Sequence, residues 1–137
     1  MKTTEGNKLI AEFMGYINVT PSDKDFNIYE KEGNKMMEAM SMQYHTSWDW
    51  LMPVVEKIET TKYDISNFQS SYDRRVGRTE AFGDVYAIYN GVDGWSGSVS
   101  IDLGRYINGV VKHSSSKIEA TWQGVIEFIQ WYNKEKA

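Results

Sequence analysis

The sequence predicts an α+β domain: a mainly antiparallel sheet flanked by helices and closed by a long C-terminal helix. Three observations carry that expectation. Apolar residues recur at helical spacing near the start, in the middle and at the end of the chain. Between the middle and final helices the spacing switches to the alternation of strands. Two of those strand-like stretches flank Asn90-Gly91 and Asp93-Gly94, a hairpin signal and hence an antiparallel one.

The bulk numbers bound the rest. A chain of 137 residues is most simply one domain, residues 1–137, and buries roughly two-thirds of its unfolded surface. Its five Trp and nine Tyr argue against disorder. It has no Cys, which excludes a disulfide framework, a thiol nucleophile and a Cys-based zinc site. The start lacks the apolar stretch of a signal peptide, and no run approaches the ~18 apolar residues that cross a bilayer. A cytoplasmic protein without a membrane partner is the expectation. The net charge of −4 disfavours a sequence-independent grip on nucleic acid, which comes mainly from Lys and Arg against phosphate.

Taken in order, "NKLIAEFMGY" is the first helix. Leu9, Ile10, Phe13 and Met14 form its narrow apolar stripe, and Gly15 is placed to end it. A turn at Pro21 leads to a short strand through Phe26, Ile28 and Tyr29. "NKMMEAMSMQY" suits either a helix, through Met36, Met37 and Met40, or a strand, through Met36, Met40, Met42 and Tyr44. A methionine cluster fills core space more often than it marks an adaptable binding surface, so core packing is expected.

"WDWLMPVVEKIETT" is the second helix, with Trp48, Leu51, Met52, Val55 and Ile58 on one face. Proline in a helix interior costs roughly 3 kcal/mol, whereas the first turn has no amide partner to lose. Pro53 therefore predicts a start near Asp49 or Trp50, or a kink. Strands follow in "YDISNF", "DVYAIYN" and "WSGSVSIDL", with a further short one in "RYINGVVK". Val99, Ile101 and Leu103 alternate with Ser98, Ser100 and Asp102, as in a sheet with one wet face. The final helix opens on a capping box, Ser116-x-x-Glu119. Ile118, Trp122, Val125, Ile129 and Tyr132 make its main stripe.

Candidate chemistry is sparse. "YHTSWDW" holds His45, Ser47 and Asp49, the residue types of a triad. A triad needs its three members facing one another across a pocket, usually from separate segments. Three alternate residues of one connection are better explained as a capped helix start, with His45 closing a strand and Trp48 docked in the core. No catalytic residue is assigned. "DKDFNIYEKEGN" mimics a calcium loop, yet Ile28 replaces the turn glycine and Asn34 the bidentate Glu. No metal or cofactor is expected. "GVDGWSG" is followed by a strand rather than a helix N-terminus, so it is no phosphate loop. One ligand-binding candidate remains: Arg74, Arg75 and Arg78, with Tyr72 and Phe82 nearby, a combination that binds phosphates or stacks on bases.

Three segments, Ile10–Gly15, Ser47–Ile58 and Ile126–Asn133, together resemble the small proteins of bacterial phages and prophages grouped as the phage ABA sandwich domain. The resemblance covers the three helices, about a third of the chain. It implies an α/β/α sandwich with helices on both faces of the sheet, and it brings no activity and no catalytic residues with it. The functional expectation is a phage- or prophage-encoded accessory protein in the bacterial host cell, more binder than enzyme, that binds a host or phage macromolecule such as a protein. The alternative is a binder of a small phosphorylated molecule or single-stranded nucleic acid through Arg74–Arg78. A third reading is a hydrolase using Asp84, Asp93 or Asp102.

Overall fold

A computed structural model describes residues 2–23, 26–32, 35–64, 80–89, 94–101, 105–106, 113–114 and 116–136. In chain order they form α1 (Thr3–Phe13), β1 (Ile17–Asn18), β2 (Ile28–Lys31), β3 (Lys35–Glu38), a 3-10 turn (Ala39–Ser41) and α2 (Trp48–Thr60). Then come β4 (Lys62–Asp64), β5 (Glu80–Tyr89), β6 (Trp95–Ile101), β7 (Arg105–Tyr106), β8 (His113–Ser114) and α3 (Lys117–Lys136). The α+β class, antiparallel pairing and long closing helix expected from the sequence are all present. No described helix is long and apolar enough to cross a membrane.

Helix α1 ends where Gly15 predicts. Gly15 adopts φ +98°, a conformation nearly closed to residues with a Cβ. Its amide donates to Glu12 O and the Tyr16 amide reaches back to Ala11 O, so a Schellman motif satisfies the last carbonyls. The chain then turns into a three-stranded sheet of order β1-β2-β3. Tyr29, on β2, is buried. Burial raises its pKa, with Glu12 and Glu5 of α1 adding to the effect, so this face of the small sheet lies toward α1.

The larger sheet runs β4-β5-β6-β7, with β8 also paired to β6. The β5–β6 ladder pairs Tyr89 with Trp95 and Val85 with Val99, the register of the expected hairpin; its turn, like Asp93 and Asp102, lies outside the described residues. Helices α2 and α3 both lie on the face that carries Gly83, Val85 and Val99. A Cβ at Gly83 would run into the Phe128 ring of α3 and stand 2.9 Å from Ile58 Cγ2 of α2. Three parts of the chain meet there without room for a methyl group. Phe128 is ringed by Tyr63 (5.0 Å between centroids), Trp131 (5.6 Å) and Phe13 (6.4 Å). One core cluster joins Ile10, Tyr29 and Met42 to Leu51, Val85, Val99 and Phe128.

Several local expectations change. The stretch from Met36 divides into strand and 3-10 turn, because Met36 and Met37 pair with Glu30 and Tyr29. Met42 is buried, but Met36 and Met40 stand 64% and 74% exposed, so only part of the methionine cluster fills the core. Trp48 is 39% exposed rather than docked: it is the first residue of α2, and the buried stripe falls on Leu51, Val54, Val55 and Ile58. Trp50 instead stacks edge-on against Tyr44, 5.1 Å between centroids. Pro53 lies inside α2, beyond its first turn. Ser98, expected on a wet face, is buried; a small side chain directly across from Tyr86 is easily shielded.

Candidate functional site

Helix α1 presents Asn7 on the same face as Ile10 and Ala11, the i, i+3, i+4 positions of its buried stripe. A buried amide there needs partners, and it finds them on two other elements. The Trp122 indole N–H of α3 donates to Asn7 Oδ1 at 2.9 Å. Asn7 Nδ2 then donates to Met42 O at 3.3 Å and meets His45 Nδ1 at 3.0 Å. Met42 and His45 belong to the segment that enters α2.

The direction of every bond in this relay follows from one fact: an indole N–H can only donate. Asn7 Oδ1 must therefore accept, which turns its NH2 toward His45. Nδ1 must then accept, so the neutral ring carries its proton on Nε2. In that state the ring offers a donor and has no free lone pair. His45 is therefore a fixed hydrogen-bond donor, unsuited to take a proton from a serine.

Ser47 sits at the N-cap of α2 and makes no side-chain capping bond, while Asp49 is exposed in the first turn. The relay draws His45 to Asn7 and Trp122, so the three triad types are not assembled. Asn7 is the residue that sequence reasoning missed. Its signal was an amide on an otherwise apolar helical stripe.

His45 also lines an open cleft of about 400 Å³ with Thr3, Thr46, Ser116, Ile118, Glu119 and Trp122. A second cleft of about 210 Å³ lies between Glu12, Phe13, Lys57, Thr61, Tyr63, Tyr132 and Asn133. There the Lys57 ammonium sits 4.5 Å from the Phe13 ring centroid and donates to the Phe13 carbonyl. Burial pushes the Tyr63 phenol up to about 12, with the neighbouring Thr61 side chain acting against it.

Asp84, from the hydrolase reading, stands near Glu59 of α2. Partial burial raises the Glu59 pKa; the Val85 amide acts against that and the Asp84 charge adds to it. Neither cleft includes this pair. Asp23, the first position of the calcium-like loop, caps the Phe26 amide at 3.0 Å, and Asn27 bonds the Thr20 and Asp23 carbonyls. Both are committed to a turn. Among the described residues no group of three or more His, Asp or Glu could hold a metal. Arg74, Arg75 and Arg78 lie outside the described residues.

The remaining feature is a surface. Register places Ile17, Glu30 and Met36 in one row across the small sheet. Val19 donates its amide to Ile28 O, and Ile28 pairs with Glu38, making a second row on the same face. Tyr29 has the opposite parity and is buried, so this face looks outward. Ile17 is 68% exposed and Val19 45%, with Met36, 64% exposed, across Glu30 on the far strand. Phe26 and Met40, also exposed, stand at the ends of β2 and β3. Single apolar side chains are ordinary on a surface; several sharing one sheet face, interspersed with carboxylates, make that face the candidate interaction surface.

No protein-family model, curated protein or solved structure matches the chain.

Proposed function

We propose that the protein is a phage- or prophage-encoded accessory protein of the bacterial cytoplasm that acts by binding a host or phage protein through the outward face of β1-β2-β3. The single observation behind this reading is the group Ile17, Val19 and Met36, exposed together on the outward face of the small sheet. Methionine suits such a face because its unbranched, polarizable side chain adapts to different partners. The phage origin rests on the resemblance of the three helical segments. The donor-only His45 and the dispersed triad types support binding over catalysis.

Affinity capture from phage-infected or prophage-carrying cells tests the reading. The native chain should retain a stoichiometric protein, and Ile17→Asp with Met36→Asp should release it. Both side chains are mostly solvent-exposed, so the double variant should keep the native melting profile. Undiminished capture by a folded double variant refutes the reading.

A further inference from the structure

We infer that the face described above takes an extended partner segment, added antiparallel along β3, with a basic residue two positions before an apolar one. The inference deepens the docking reading and rests on it. Strand β3 is an edge of its sheet, and among the described residues it pairs with β2 alone. An edge offers unpaired backbone amides and carbonyls, the template for strand addition. Main-chain bonds of that kind attract any extended segment; the side chains on the face choose among them.

Here the choice is set by register. Met36 and Glu38 are two apart on β3 and therefore share the outward face. A strand laid antiparallel beside them places one side chain opposite Glu38 and, two residues later, another opposite Met36. Glu30, between Ile17 and Met36, adds a second carboxylate to the same face. Lys31 and Lys35 have the opposite parity, and Lys31 lies over the Tyr16 ring, 5.6 Å from its centroid.

The outward face is thus acidic and apolar together. Glu38 Oε2 accepts a hydrogen bond from Ser41 at 3.4 Å, and its Oε1 is shielded from solvent without a partner. An ammonium or guanidinium opposite that carboxylate offsets its desolvation, whereas an acidic residue there is repelled. The complementary segment reads Lys or Arg, any residue, then an apolar residue.

A displayed library of random dodecapeptides, selected against the immobilised full chain, is the direct test. Enriched peptides should carry that spacing and shift backbone amide resonances at residues 35–38. Glu38→Lys, or Glu30→Lys if the first variant melts early, should weaken them about tenfold, the scale of one reversed charge pair. Exchanging the peptide's basic residue for Glu should restore binding to the reversed variant. No enrichment, enrichment without the basic residue, or equal binding to both charge variants overturns the inference. Peptides lost on Met36→Asp but indifferent to Glu38→Lys leave the docking reading standing and sink only the strand register. Indifference to all three variants sinks both.

Discussion

Replacing Asn7 with Ala should be among the most damaging single changes in this protein. The side chain is buried and joins α1 to α3 and to the segment before α2. Its removal strands the Trp122 indole N–H and the Met42 carbonyl. A buried polar group left without a partner costs about 1–3 kcal/mol, so the two together come to roughly 2–6 kcal/mol. His45 is only partly buried, and water can replace its lost bond at little cost.

A loss near the middle of that range is a large share of the roughly 5–15 kcal/mol that holds a typical domain folded. With a urea dependence of about 2 kcal/mol per M, the midpoint should fall by roughly 2 M. Trp122→Phe removes the donor and keeps most of the ring. The double variant Asn7→Ala with Trp122→Phe should therefore cost less than the sum of the two single changes, with a coupling of about 1 kcal/mol or more. A midpoint shift below about 0.3 M for Asn7→Ala, or strict additivity in the cycle, refutes the relay.

Three further outcomes follow from the same geometry. Gly83→Ala should cost about 1–3 kcal/mol by overpacking, because the Phe128 ring it would strike is held by Tyr63, Phe13 and Trp131; an unchanged thermal midpoint would contradict that packing. Ser116→Ala removes the 3.1 Å acceptor of the Glu119 amide and should cost about 1 kcal/mol, a fall of roughly 3–4 °C in Tm by calorimetry. Glu59 has its pKa raised above the ordinary 4.5, so the fold binds its proton more tightly than the unfolded chain does. Its contribution therefore worsens as pH rises through 4.5 and the folded value above it. Glu59→Gln should raise the urea midpoint at pH 7 relative to the native chain, with the gain shrinking at pH 4; a constant gain would sink the assignment.

Features fixed by residues a turn or so apart are legible in the sequence. The Ser116 cap and the stop at Gly15 are each set within a few residues, and both appear where the sequence places them. Trp48 and the methionines were harder, because helical or strand spacing says which residues share a face and not how far the cover over that face extends. Met36 and Met42 have the same strand parity, yet one is exposed and the other buried, since the strand ends at Glu38 and a 3-10 turn redirects the chain. The outward acidic face was equally hidden: Glu30 and Met36 become neighbours only through the β2–β3 register.

By itself the sequence determined the kinds of element present, most of their limits, and the stripes that had to be covered. Those properties depend on hydrogen bonds and side-chain contacts between residues a turn or two apart. Tertiary structure alone decided what His45 does, because its proton is placed by Asn7, whose own orientation is set by an indole 115 residues away. Such a bond leaves no periodic trace in the chain, since folding, not spacing, brings its two ends together.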